Sequence, residues 1–263
     1  MVVTRFAPSP TGYLHLGHVV NAIYVWGLAR ALGGRVLLRV EDHDRIRSRP
    51  TFETALLDDL DWLGFIPDAG RHPVRRQSDD PSVYAEALDR LRSTHHVYAC
   101  DCSRKEIGGG PYPGTCRARG LAEAAGRGLR VQMDPEEESG DVLLRDRDGN
   151  WTYQFAVTVD DIRDNVTLVI RGDDLLLSTG RQIRLGEMLG RPSPARFLHH
   201  PLIVGPTGTK LSKSNRDTGV RDLRAAGLAP GDVIGRAAAA VGLLPVGSMI
   251  EAAEVARLFP DAG

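Results

Sequence analysis

No stretch of this 263-residue chain stays apolar long enough to cross a bilayer, and no short apolar segment opens it like a secretion signal. A soluble, cytoplasmic protein with no membrane partner is therefore expected. An excess of charge is missing too: 33 Lys and Arg face 34 Asp and Glu, leaving −1. No overall basic field announces nucleic acid, so any RNA contact must rest on local patches and a limited or transient interface. Cysteine is scarce. The three cysteines, an odd number set close together, exclude a disulfide framework and leave a metal site or free thiols. Internal repeats and low-complexity tracts are absent as well. The length allows one large or two modest domains with a sizeable core.

What is present concentrates between Arg5 and His18. Val2 and Val3 read as the end of a short buried strand. Pro8 and Pro10 then stop both the strand and an immediate helix, because the ring removes the amide donor and restricts the preceding residue. Gly12 marks a turn, and Val19, Val20, Ile23, Trp26 and Leu28 recur at helical spacing up to a stop near Gly33-Gly34. Strand, rigid loop and helix N-terminus together favour a phosphate, since free amides and the helix dipole point at it. Gly17 permits close approach, and His15 and His18 can donate hydrogen bonds. A His-x-x-His pair alone means little. Its companion is Lys210-Leu211-Ser212-Lys213-Ser214, behind an apolar run at 202–204 and a Gly205-Pro206-Thr207-Gly208 turn. Two cations and two hydroxyls in one loop suit a polyphosphate.

In this order the two motifs resemble the paired signature of class I aminoacyl-tRNA synthetases. Within that class, the run Arg5 to Gly12, followed by Leu38-Arg39-Val40-Glu41-Asp42, is similar to glutamyl-tRNA synthetase. The likeness continues through Tyr153-Gln154-Phe155-Ala156, Asp160-Asp161 and Val169-Ile170-Arg171-Gly172-Asp173-Asp174, and spans residues 2 to about 245. Only about fifty residues follow the lysine loop. That length resembles the truncated paralogues that glutamylate queuosine in the anticodon of tRNA(Asp).

The resemblance implies an α/β fold: a Rossmann-like parallel sheet, the class I catalytic domain, with an inserted zinc-containing α/β subdomain and a short C-terminal helical segment. Its expected divisions are a first catalytic half at 1–75, the inserted acceptor-type subdomain at 76–150, a second catalytic half at 151–215 and a helical tail at 216–263 without an anticodon-binding domain. It implies tRNA-independent activation of L-glutamate by ATP, with Mg2+, to glutamyl-adenylate, then transfer to queuosine-bearing tRNA(Asp), by a monomer. His15, Gly17, His18 and Lys213 would bind ATP, and His15, His18, Lys210 and Lys213 would act in catalysis. Arg5, Phe6, Ala7, Pro8, Ser9, Glu41, Tyr153 and Arg171 would hold glutamate: guanidinium forks for two carboxylates, Glu41 for the ammonium. A truncated enzyme charging the 3′ end of tRNA(Glu) would share every motif. A non-catalytic tRNA-binding paralogue would not need the histidines and lysines, and a pantothenate-synthetase-like ligase would not need Glu41, Tyr153 and Arg171.

Cys100, Cys102 and Cys116 can supply three soft ligands to one tetrahedral zinc, and three reduced core thiols remain the alternative. His95 and His96 are the usual chemical candidates for a fourth ligand, whereas the family places a tyrosine there, which fits Tyr112. Such a zinc would be structural, one per chain.

Elsewhere the pattern predicts a strand at 35–40 that delivers Glu41 and Asp42 to a sheet edge, and helices at 51–63 and around Tyr84, Leu88 and Leu91. Residues 120–150 are Gly- and charge-rich, and their acidic run Glu136-Glu137-Glu138 reads as a solvated face. Strands are expected at 151–159, with Tyr153 and Phe155 on one face, at 166–170 and at 202–204, and a helix at 179–189. Tail helices are expected at 220–226, 230–241 and 250–258.

Overall fold

Strands β1 (Val3–Phe6) and β2 (Arg35–Leu38) pair in parallel, with Arg5 opposite Leu37. The computed structural model describes residues 1–44, 47–134, 140–203 and 219–262. β1 runs on past Val3 because Thr4 and Arg5 are buried in it despite their polarity. Helix α1 (Leu16–Ala31) joins the two strands, giving the right geometry for a parallel pair. It is buried on nearly all sides, so it serves as the central element of the first core. Gly27 is required there: a Cβ would lie 2.2 Å from the Phe259 ring. α2 (Pro50–Leu63) starts with proline in its first turn and stops at Gly64 in the left-handed conformation.

A second parallel pair, β6 (Leu168–Gly172) and β7 (Arg196–His200), lies on the opposite edge of β1, where the Thr167 N–H donates to the Val3 carbonyl at 2.8 Å. The expected strand at 202–204 is thereby corrected. The pairing residues come earlier, disguised by Arg196, His199 and His200, while Leu202 and Ile203 lie outside any strand and Val204 lies outside the described residues.

Between these pairs the chain builds a separate antiparallel sheet in the order β3 (Val97–Cys100), β4 (Gly128–Val131), β5 (Val142–Arg145). The Gly- and charge-rich residues 120–150 thus carry two strands. Leu129, Val131, Val142 and Leu144 are buried against α3 (Ser82–Thr94), α5 (Tyr153–Arg163) and α6 (Thr179–Met188) in a second core. Glu136 to Glu138 lie outside the described residues. The short α4 (Arg104–Ile107) follows β3, its Ser103 cap accepting the Glu106 N–H.

The strand expected at 151–159 is corrected: Trp151 makes only an isolated bridge to Arg145, and the chain is helical from Tyr153. Every residue from Phe155 to Asp161 is buried, so an apolar face cannot be told from alternation there, and packing against α3 and α6 overrides the β preference of Val, Thr and Tyr. Residues two apart lie on different sides of a helix. Phe155 therefore enters the core while Tyr153 faces elsewhere. The tail forms α7 (Val220–Ala225), α8 (Pro230–Ala240) and a 3-10 turn at Ala252–Leu258 that packs on α1. No described helix is long and apolar enough to cross a membrane.

Candidate active site

A cleft of about 710 Å³ opens where β1, β6 and the N-terminus of α1 converge. Its position follows from topology, because side chains leaving the C-terminal ends of parallel strands meet there. Arg5, Phe6, Ala7, Pro8 and Ser9 come from the end of β1 and the loop after it. His15, Gly17 and His18 come from the entrance of α1, Glu41 from beyond β2, Tyr153 from the first turn of α5 and Arg171 from β6. Lys210 and Lys213 lie outside the described residues.

The two histidines are fixed by the helix they open. His15 is the N-cap of α1, its Nδ1 accepting the Gly17 N–H at 3.1 Å, and His18 Nδ1 accepts the His15 N–H at 3.1 Å. With both Nδ1 atoms used as acceptors, each neutral ring carries its proton on Nε2. The rings lie 3.9 Å apart between centroids. Gly17 has a reason internal to the site: a Cβ would sit 2.9 Å from His15 Cε1.

Beneath them runs a buried chain of alternating charges. Arg5 Nε donates to both Asp161 oxygens at 3.1 and 3.2 Å. Arg39, only 1% exposed, donates from Nη2 to Asp161 at 2.9 Å and Glu41 at 3.1 Å, and from Nη1 to Asp164 at 3.0 Å. Burial alone would raise the Asp161 carboxyl, but Arg5 and Arg39 overcome it and hold it below the usual carboxylate range. Asp160 is pushed up by burial, though Gln77 and Tyr84 both donate to it. The chain fixes Arg5 from one side and Glu41 from the other.

Arg171 is held differently. Nη1 donates to Gln182 at 2.6 Å, Nη2 to the Leu175 carbonyl and Thr179 Oγ1 at 3.0 and 2.9 Å, and Nε to His199 Nε2 at 3.3 Å. Gln182 in turn donates to Gln154 at 2.7 Å. These partners are neutral, and burial lowers the guanidinium's pKa. A buried cation without a carboxylate partner among the described residues suits an anionic ligand.

Sequence reasoning missed several residues here. Thr11, Asn21, Asp174 and His200 also line the cleft, and Asn21 Nδ2 lies 3.0 Å from His200 Nε2. Arg39 and Asp161 stand in quoted motifs, yet nothing in spacing alone shows that they meet across 122 residues.

The cysteines form a second centre. The ligand atoms of Cys100, Cys102 and Cys116 lie within 4.8 Å of one another, with Cys102 and Cys116 sulfurs 3.5 Å apart. Tyr112 Oη is 3.4 Å from Cys100 Sγ and 3.7 Å from Cys102 Sγ, and accepts the Cys116 N–H at 2.9 Å. Bonds of about 2.3 Å to a tetrahedral zinc would separate sulfurs by nearly this much, so the donor set fits one zinc ion. His95 and His96 are occupied elsewhere, by Thr94 and Gln132.

Comparison with known proteins identifies the family. The family model described as tRNA synthetases class I (E and Q), catalytic domain, matches residues 1–110 and 128–234. A glutamyl-Q tRNA(Asp) synthetase of Rhodobacter capsulatus is 39% identical over 88% of this chain and 98% of its own. One from Pseudomonas aeruginosa is 44% identical over 81% and 78%. A crystal structure of a glutamate tRNA ligase from Elizabethkingia meningosepticum, in complex with its amino acid, superposes with a TM-score of 0.79 at 27% identity. It covers 97% of this chain, which spans 64% of that longer protein. The chain belongs to the class I tRNA synthetases of the E and Q type, ligases whose relatives here carry the name glutamyl-Q tRNA(Asp) synthetase.

Proposed function

We propose that the cleft activates L-glutamate with ATP, without requiring tRNA, and passes the glutamyl group to queuosine in the anticodon of tRNA(Asp). The observation that carries this is the meeting of Arg5 and Arg171 with His15 and His18 in one cavity. A dicarboxylic amino acid and a triphosphate need those two sets of groups side by side.

In the first step an oxygen of the glutamate α-carboxylate attacks the α-phosphorus of ATP, brought in as its Mg2+ complex, and pyrophosphate leaves. The Nε2–H donors of His15 and His18 face the phosphates and strengthen their bonds as negative charge builds on the five-coordinate phosphorus. Lys213 stabilises the departing pyrophosphate and Lys210 assists it. Arg5 takes the side-chain carboxylate, Arg171 the other, and Glu41 the ammonium. Ser9 and Tyr153 add neutral hydrogen bonds, the Ala7 backbone another, and Phe6 and Pro8 wall the pocket. In the second step a queuosine hydroxyl attacks the glutamyl carbonyl, and AMP leaves with the bonding electrons of the mixed anhydride.

The protein divides, on this reading, into a Rossmann-like catalytic domain in two halves (1–75 and 151–215), a zinc-holding insertion (76–150) and a helical tail (216–263). The order of parallel strands on either side of the antiparallel sheet supports it. Cys100, Cys102, Cys116 and Tyr112 would hold a zinc ion, which would cross-link loops that carry little apolar surface and leave no open position for the chemistry.

The test is transfer of labelled glutamate to purified tRNAs. Queuosine-bearing tRNA(Asp) should accept it, and queuosine-free tRNA(Asp) and tRNA(Glu) should not. Charging of tRNA(Glu) at its 3′ end would replace this reading with that of a truncated glutamyl-tRNA synthetase.

A further inference from the structure

Arg130, in the middle strand of the antiparallel sheet, is 7% exposed. Among the described residues no carboxylate oxygen lies within 4.0 Å of its guanidinium. The acid that its strand brings closest, Asp141, offers Arg130 only its backbone carbonyl, at 2.9 Å from Nη1. The Asp141 carboxylate is taken by Arg117 at 2.8 and 3.0 Å, by the Met133 N–H at 2.9 Å and by the Tyr98 hydroxyl. What Arg130 does face is the sulfur centre. Its Nε is 3.4 Å from Cys100 Sγ, and its guanidinium carbon lies 3.8 Å from the centroid of the Tyr112 ring.

A buried cation needs an anion, and neutral thiols with a neutral phenol supply none. Three thiolates around one divalent ion do, because their charges sum to −1. We infer that Arg130 is the counter-charge of the metal centre, a positioning residue that holds the Cys100 sulfur and the Tyr112 ring as ligands and neutralises the cluster once zinc is bound. This rests on the zinc reading of the three cysteines. Arginine suits the task better than lysine, since one planar fork serves a sulfur, a carbonyl and an aromatic face at once. It also accounts for phenol oxygen as fourth donor: a cation over the ring stabilises electron density moved onto it. Outer residues of this kind orient metal ligands and tune their basicity.

The experiment compares the full chain with Arg130→Met and Arg130→Lys, loaded with zinc and titrated with a chromophoric chelator. Arg130→Met should bind zinc about 10- to 100-fold more weakly, and Arg130→Lys should recover part of the loss. A structural role alone is separated by melting the metal-free proteins: the wild-type chain, carrying an uncompensated cation, should lose more stability on zinc removal than Arg130→Met does. Cobalt in place of zinc should keep its thiolate charge-transfer bands in Arg130→Met, showing three sulfur ligands still in place. Unchanged zinc affinity in Arg130→Met, or an equal loss of stability on zinc removal in both proteins, overturns the inference. A wild-type chain that takes up no zinc overturns the metal reading itself and this inference with it.

Discussion

Arg5 and Asp161 are joined by two hydrogen bonds, from the third residue of β1 to the last turns of α5, with both side chains almost wholly buried. A guanidinium lining the cleft is thus anchored by its Nε edge. Asp161 is shared with Arg39, which also holds Glu41, so one carboxylate orders both the cation and the anion of the proposed glutamate site.

Replacing that carboxylate should be costly. Asp161→Ala leaves the buried Arg5 guanidinium without its carboxylate and takes one of several from Arg39, and should lower stability by about 3–5 kcal/mol, read from denaturant midpoints. The pH dependence follows from the depressed Asp161 carboxyl. A group whose folded pKa lies below its unfolded value contributes stability fully above the unfolded value of 3.8, and loses it as pH falls through the folded one. Wild type and Asp161→Asn should therefore differ most near pH 7 and converge as the pH drops well below 3.8.

Arg5→Ala should remove most glutamate activation, by roughly 2–4 kcal/mol in kcat/KM for glutamate-dependent ATP–pyrophosphate exchange. KM for ATP should change little. An unaltered exchange rate would take Arg5 out of the pocket.

His15 has two separable duties. His15→Ala removes both the α1 cap and the Nε2 donor, so stability should fall by about 1 kcal/mol together with activity. His15→Asn restores a capping oxygen without that donor. Its melting temperature should return toward wild type while exchange stays about a hundredfold down or lower.

Chelation should remove one zinc per chain and lower the melting temperature, with amide protection lost first around residues 100–116. That segment packs as its own small cluster of Tyr98, Cys100, Tyr112 and Cys116, with little apolar surface to hold it otherwise. Retention of full protection in the metal-free protein would mean that thiol packing alone suffices.

Local signals carried far in this chain. The proline-interrupted loop, the histidine entrance of α1 and the strand delivering Glu41 are legible because glycine, proline and periodic apolar residues act over a few positions. Helix α5 was not, since buried residues surround it on nearly every side and Tyr153 and Phe155 mimic alternation. β4 and β5 hid within charged sequence because their polar residues are satisfied internally: Arg130 is buried, and Asp141 just before β5 anchors Arg117. The role of Arg39 was out of reach for another reason. Its partners Glu41, Asp161 and Asp164 converge only after β2 and α5 pack, and no spacing encodes that meeting.

Glutamate-dependent ATP–pyrophosphate exchange, run without any tRNA across the standard amino acids, bears most directly on the cleft. Exchange with L-glutamate alone, lost in Arg5→Ala and Arg171→Ala, is the predicted result. No exchange with glutamate, or equal exchange with glutamine, would contradict it.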